Sequence, residues 1–157
     1  MKKRMNWKAL IISFIIVYLV AFIGSIFTSP AVNSDWYQTI KPSITPPNYV
    51  FPIAWNILFF LIALSLYFAW TNSKNKNTKK RVAFLFGLNL ALNILWSFLY
   101  FYLKNPTSAF FELIALWFSI VLMINLIYKI SKKASWLLVP YLLWVSFAGI
   151  LNYLSAF

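Results

Sequence analysis

The polar and aromatic side chains that could bind a ligand recur at helical spacing in an otherwise apolar chain. One segment has steps of four, three and four residues, which place its members on one face of a helix: Asn89, Asn93, Trp96 and Tyr100. A second segment has steps of three, four and four: Tyr141, Trp144, Ala148 and Asn152. Amide groups beside indole and phenol rings suit a flat, largely apolar ligand that stacks on aromatic faces and accepts a hydrogen bond.

The composition argues against several other kinds of chemistry. The chain has no His and no Cys, and Asp35 and Glu112 are its only acidic residues. We therefore expect no bound metal, no required cofactor and no conventional acid–base active site. Aromatic residues are abundant instead, with eight Trp, nine Tyr and sixteen Phe.

Five apolar stretches predict the elements that carry these faces, since each is close to the ~20 residues that a helix needs to cross a membrane. They are residues 9–27, 50–70, 82–103, 109–128 and 134–157. The predicted fold is an all-α integral membrane protein, a five-transmembrane-helix bundle that forms a single domain over residues 1–157. Only Glu112 is charged within the stretches, and we expect it to pair with Lys104, Lys41 or a polar group on a facing helix.

The basic residues fall on alternate connections and predict an orientation. Four basic residues precede the first stretch, five lie between the second and third stretches, and three lie between the fourth and fifth. Together these are twelve of the fourteen basic residues. The positive-inside bias then places the N-terminus in the cytoplasm and the C-terminus outside, in a multi-pass protein of the cell membrane. We attribute the net charge of +12 to this topology and to contact with membrane lipid, and expect no nucleic acid partner.

The first connection, residues 28–49, is the longest and contains four prolines among aromatic residues. We expect this stiff loop to cap the outer end of the bundle, the alternative being an exposed link. Beneath it we expect an outward-opening cavity. For Asn89, a bond to a neighbouring helix and a ligand contact both stay open. The candidate ligand-binding residues are Trp36, Phe51, Trp55, Asn93, Trp96, Tyr100, Trp144 and Ala148.

Three blocks of residues, in order along the chain, resemble the TspO/MBR family, the tryptophan-rich sensory proteins related to the mitochondrial translocator protein or peripheral benzodiazepine receptor. The first block runs from Trp36 to Trp55 and includes two prolines, Pro46 and Pro47. The second comprises Asn89, Asn93, Trp96 and Ser97; the third comprises Pro140, Tyr141, Trp144, Phe147, Ala148, Leu151 and Asn152. The resemblance implies a five-helix bundle, commonly a homodimer, whose first loop caps a pocket for porphyrins such as protoporphyrin IX and for isoquinoline-type ligands.

The resemblance also implies roles for individual residues. Trp55 and Asn93 correspond to residues that bond the ligand, and Ala148 to a position that packs against it. Trp55 and Trp144 correspond to residues implicated in light-dependent breakdown of protoporphyrin IX, so they are the candidate catalytic residues. This sequence departs from the animal proteins of the family in one respect. They carry a Tyr followed by a basic residue near the end of the last helix, a motif proposed to bind sterol, whereas no basic residue follows Tyr153 here.

Three functions remain possible. The first is a membrane receptor for porphyrins, with a role in tetrapyrrole metabolism or stress sensing, and it is favoured because a conventional active site lacks its parts. The second is a light-dependent porphyrin-degrading enzyme, in which the bound porphyrin would be the chromophore and a Trp the electron donor. The third is a small-molecule transporter, which the lack of a clear internal repeat disfavours.

Overall fold

The computed structural model describes residues 5–157, so Lys2, Lys3 and Arg4 of the predicted cytoplasmic tail lie outside the described residues. A π-helical turn, Phe98–Tyr102, continues the fourth helix. Within the described range the structure is helical and has no strand. The α-helices are α1 (Trp7–Ala31), α2 (Asp35–Ile40), α3 (Val50–Asn72), α4 (Lys76–Ser97), α5 (Pro106–Tyr128), α6 (Lys132–Trp136) and α7 (Val139–Ala156).

Five helical spans are long and apolar enough to cross a membrane, which confirms the predicted fold class. They are α1, α3, α4 with its π-helical turn, α5, and α6 together with α7. The main packing contacts form a ring that runs from α1 to α3, then to α6 and α7, α5, α4 and back to α1. The core between these spans consists mainly of Leu, Ile, Val and Phe side chains.

Asparagine side chains cap the starts of three spans, beginning with α1, where Asn6 Oδ1 accepts from the Ala9 N–H at 3.1 Å. Asn75 Oδ1 accepts a hydrogen bond from the Thr78 N–H at 2.8 Å, so α4 begins six residues before the predicted residue 82. Asn105 Oδ1 accepts from the Ser108 N–H at 2.9 Å, and Pro106 occupies the first turn of α5 as predicted. The apolar run locates the part of a helix that lies in the membrane, whereas the cap locates its first residue.

The first span and the first loop differ from the prediction. The span was expected to end at residue 27, but α1 continues to Ala31 with Pro30 in its last turn. The expected loop of residues 28–49 therefore begins later, and part of it forms the short helix α2. Ser34 caps this helix, because its side-chain oxygen accepts from the Tyr37 N–H at 3.3 Å.

The fifth span is broken where a single bent helix was expected over residues 134–157. Helix α6 ends at Trp136 and α7 begins at Val139, so Pro140 lies in the first turn of a new helix. A proline is tolerated there because its missing N–H has no partner to lose. Leu142 N–H bonds to the Leu138 carbonyl at 3.1 Å and restarts the hydrogen-bond ladder.

The outer end of α4 changes its hydrogen-bond register. Leu103 N–H donates at 2.9 Å to the carbonyl of Phe98, five residues earlier, which is the π-helical pattern. Lys104 then adopts a left-handed conformation with φ of 50° and ends the helix. This turn buries Tyr100 and Phe101 side by side, a placement that a regular apolar run does not predict.

Candidate functional site

A cavity of about 560 Å³ lies between α1, α3, α4 and α7 beneath the first loop. Its volume is within the range of roughly 300–1,000 Å³ typical of small-molecule pockets. Most of the wall surface is apolar, and eleven Asn, Ser and Thr residues also line it. The structure brings seven of the eight predicted ligand-binding residues to this wall, and their contact with a ligand stays a prediction: Phe51, Trp55, Asn93, Trp96, Tyr100, Trp144 and Ala148.

The eighth residue, Trp36, is not part of the cavity wall, where its neighbour Tyr37 is found instead. Trp36 packs edge-on against Tyr100 with ring centroids 6.0 Å apart, and Lys104 Nζ lies 5.9 Å from its ring centroid. Tyr37 is buried and its ring lies 5.7 Å from that of Phe101. Burial raises the pKa of the Tyr37 phenol, so its hydroxyl stays protonated. These contacts hold α2 against the bundle as a cap.

Two tryptophans present both a ring and a free indole N–H at the cavity. Trp55 stacks on Phe59 with centroids 5.2 Å apart, and Trp144 meets Phe51 edge-on at 5.9 Å. Neither indole N–H bonds to another described residue. Both candidate catalytic residues therefore lie where a bound ligand could contact them, and a catalytic role for them stays a prediction.

Several other polar groups of the cavity wall are occupied by the protein itself, whereas Thr45 Oγ1 is buried without a partner. The Trp96 indole N–H donates to Asn152 Oδ1 at 2.9 Å, and Asn152 Nδ2 donates to the Pro106 carbonyl at 2.8 Å. The Tyr100 hydroxyl donates to Ser155 Oγ at 2.9 Å. These bonds join α4 and its π-helical turn to α7 and fix the two rings, so Trp96 and Tyr100 offer aromatic surface to the cavity.

The two asparagines of α4 have different environments. Asn89 is fully buried away from the cavity, and its Nδ2 donates to Ser119 Oγ on α5 at 2.8 Å. Of the two roles left open for Asn89, the structure therefore shows the bond to a neighbouring helix. Asn93 lines the cavity, and its Nδ2 donates to the Tyr141 hydroxyl at 3.3 Å. One further N–H and the amide oxygen of Asn93 remain for other partners.

The expected partner of Glu112 is absent from the described residues. Its carboxyl oxygens are both buried and make no hydrogen bond. The predicted pairing with Lys104 is wrong, because the ammonium group of Lys104 lies over the ring of Trp36 instead. No pairing with Lys41, and none with a polar group on a facing helix, is formed either.

Sequence reasoning missed the contribution of α1 to the cavity. Ala21, Gly24, Ser25 and Thr28 all line it. A Cβ atom on Gly24 would lie 3.6 Å from Ser97 Oγ, so α1 and α4 approach closely at this level. Small residues at steps of three, one and three were a usable signal, since this spacing places them on one helix face.

The fold and the cavity together define a class, a multi-pass membrane protein with five spans, four of which enclose an aromatic pocket under a helical cap. The sequence model of the TspO/MBR family matches residues 13–156. The chain belongs to this family.

Individual relatives come from archaea, bacteria and animals. The chain is 43% identical over 150 residues to the tryptophan-rich protein TspO of Archaeoglobus fulgidus, which covers 95% of each chain. It is 30% identical over 153 residues to the tryptophan-rich sensory protein of Cereibacter sphaeroides, covering 96% of this chain and 90% of the relative. It is also 30% identical over 137 residues to the translocator protein of Homo sapiens, covering 86% of this chain and 80% of the relative.

Proposed function

We propose that the protein is a membrane receptor that binds a porphyrin, such as protoporphyrin IX, or a similarly flat apolar ligand of the isoquinoline type, in the capped cavity. The observation that carries the proposal is the convergence of aromatic rings from three elements on one cavity. Trp55 on α3, Trp96 on α4 and Trp144 on α7 offer ring faces or edges to a planar ligand. Membership of the TspO/MBR family supports the same function.

The polar groups at the cavity favour a ligand with hydrogen-bond acceptors at its edge. The free indole N–H groups of Trp55 and Trp144 and the remaining N–H of Asn93 are donors, and donors left unpaired in an apolar pocket are unfavourable. Carbonyl or carboxylate oxygens on the rim of a flat ring system would satisfy them.

A titration with protoporphyrin IX tests this function. Purified protein in lipid nanodiscs should show saturable quenching of tryptophan fluorescence, with one porphyrin bound per chain. Empty nanodiscs of the same lipid are the control for partitioning of the porphyrin into lipid. Uptake that does not saturate, or that matches the empty nanodiscs, would contradict the proposal.

Asn93→Ala should weaken binding of a carbonyl-bearing isoquinoline ligand by about 1 kcal/mol or more, because it removes a side-chain hydrogen bond in a dry site. Asn89→Ala is the matched control and should leave affinity nearly unchanged, since its amide bonds to Ser119 away from the cavity. Competition against bound porphyrin measures both affinities. Equal losses in two well-folded variants would refute the distinction.

We also propose that the protein lies in the cell membrane with its N-terminus in the cytoplasm, so that α2 and the cavity face outward. The support is the distribution of basic residues, since Lys41 and Lys104 alone lie at the end of the bundle where α2 packs. A reporter enzyme that works only outside the cytoplasm should be active when fused to the C-terminus. Activity of a cytoplasm-specific reporter at that position would overturn the orientation. The homodimer implied by the resemblance stays a prediction.

A further inference from the structure

Glu112 is the one acidic side chain within the five spans, and its carboxyl group is isolated. The residue is 9% exposed, and neither of its oxygens has a hydrogen-bond partner among the described residues. It lies on the face of α5 that also buries Ala109 and Leu116. An ionised carboxylate without a partner is strongly disfavoured in such a place. The group therefore needs a proton or a donor that the surrounding side chains do not supply.

A second buried acceptor without a partner, Asn89 Oδ1, belongs to the same part of the bundle. The hydroxyl hydrogen of Ser119 is not available to it, because Ser119 Oγ bonds to the Leu116 carbonyl at 2.6 Å. The Tyr141 hydroxyl accepts from Asn93 Nδ2 at 3.3 Å and interacts with Asn89 as well. Tyr141 lies on α7, which packs against α5, the helix that carries Glu112.

Three buried acceptor oxygens, namely Asn89 Oδ1 and the two oxygens of Glu112, have no hydrogen-bond partner among the described residues. A proton on Glu112 removes its charge and turns one of these acceptors into a donor. The protonated carboxyl is therefore the better satisfied state of this site.

We propose that Glu112 is a proton-binding site linked to the ligand cavity through Tyr141 and Asn93. Asn93 lines the cavity and bonds to the buried Tyr141 on α7, and α7 packs directly against the α5 that carries Glu112. An ionised Glu112 behind that wall repels an anionic ligand and weakens its binding. A proton on Glu112 removes this repulsion. Proton binding at Glu112 and binding of a carboxylate-bearing ligand then reinforce each other, as linkage requires. This second part rests on the proposed function.

No other charged group in the described residues compensates Glu112. Helix α5 packs against α4, the π-helical turn, α6 and α7. The ionisable groups of α7 are Tyr141 and Tyr153, and Tyr100 of the π-helical turn is bonded to Ser155. The charged residues of α4 and α6 lie at the other end of the bundle, beyond the far end of α5: Lys76, Lys79, Lys80, Arg81, Lys132 and Lys133.

Infrared spectroscopy tests the proton site without any ligand. The chain has two acidic side chains, so Asp35→Asn leaves Glu112 as its only side-chain carboxyl. At neutral pH this variant and the wild type should show the carbonyl stretch of a protonated carboxylic acid, and Glu112→Gln should lack it. Tyr141→Phe should shift the band, because it removes a buried hydroxyl dipole from the helix that packs against α5. A spectrum with ionised carboxylate alone in Asp35→Asn at neutral pH would overturn the proton site.

Affinity for protoporphyrin IX as a function of pH tests the link to the cavity. Between about pH 6 and pH 9, where buried carboxyl groups can titrate, the affinity of the wild type and of Asp35→Asn should fall several-fold as the infrared band disappears. The affinity of Glu112→Gln should lack this fall and show only the ionisation of the porphyrin itself, which all three proteins share. The same pH profile in all three would refute the link.

The two measurements separate failure of this inference from failure of the proposed function. If none of the three proteins binds protoporphyrin IX, the proposed function and the link to the cavity are both wrong. The infrared band still decides whether Glu112 carries a proton, because that experiment needs no porphyrin.

Discussion

Replacing Ala148 with phenylalanine is expected to weaken binding of protoporphyrin IX by about 100-fold or more, equivalent to ~2.7 kcal/mol. Ala148 lies on α7 at the cavity wall, close to Trp144 and to the Asn152 that fixes Trp96. A benzyl group added there takes up space that a flat ligand needs. The neighbouring rings pack against one another and would have to move to make room for the ligand.

Ala115→Phe is the matched control for this substitution. Ala115 lies on the exposed face of α5, where an added ring meets lipid and leaves the cavity unchanged. Quenching titrations of both variants and the wild type in nanodiscs give the three affinities. If Ala148→Phe folds and binds porphyrin as tightly as Ala115→Phe, the ligand does not occupy this cavity.

Replacing Asn152 with alanine is expected to destabilise the protein by about 1–3 kcal/mol, the usual consequence of leaving buried hydrogen-bonding groups unpaired. Asn152 is 1% exposed and bonds at once to the Trp96 indole and to the Pro106 carbonyl. It thereby ties α7 to α4 and to the start of α5. Its loss leaves a donor, the Trp96 indole N–H, and an acceptor, the Pro106 carbonyl, without these partners.

Asn125→Ala provides the comparison for Asn152→Ala. Asn125 is exposed, and its Nδ2 bonds at 2.8 Å to the Val121 carbonyl of its own helix, so its removal unpairs no group between helices. Thermal unfolding in one detergent, followed by the near-ultraviolet signal of the aromatic residues, measures both. A similar change of melting temperature in the two variants would show that the bonds of Asn152 are not important for stability.

The sequence predicts the spans well because membrane helices must be apolar over a fixed length. It predicts α2 and the π-helical turn poorly, for two different reasons. The six residues of α2 are too few for a periodic pattern, and only the cap at Ser34 signals its start. The π-helical turn at Phe98–Tyr102 depends on a hydrogen-bond register, which leaves no mark in a run of aromatic residues.

In the candidate site, too, the sequence predicts the residues that recur at helical spacing and misses those that do not. The helical spacing of polar and aromatic residues on α4 and α7 is enough to place Asn93, Trp96 and Trp144 at one cavity. Within α2 no such spacing exists, and the residue that enters the wall is Tyr37 rather than Trp36. Charge alone also misleads, because Lys104 could be expected beside Glu112 but lies over an aromatic ring.

The account predicts that planar stacking, and not a bond to iron, holds the tetrapyrrole. The chain has no His and no Cys, and the described methionines Met5 and Met123 do not line the cavity. Burial of Tyr37 opposes formation of its phenolate, the form in which a tyrosine would bind iron. Haem therefore gains nothing over the metal-free ring.

Parallel titration of one nanodisc preparation with protoporphyrin IX and with haem tests this account most directly. Tryptophan quenching gives both dissociation constants, and the haem absorption spectrum reports axial ligation. The account predicts that protoporphyrin IX binds at least as tightly as haem and that the haem spectrum shows no protein ligand. Haem binding tighter by about tenfold, or ~1.4 kcal/mol, with the spectrum of an axially ligated iron, would contradict it.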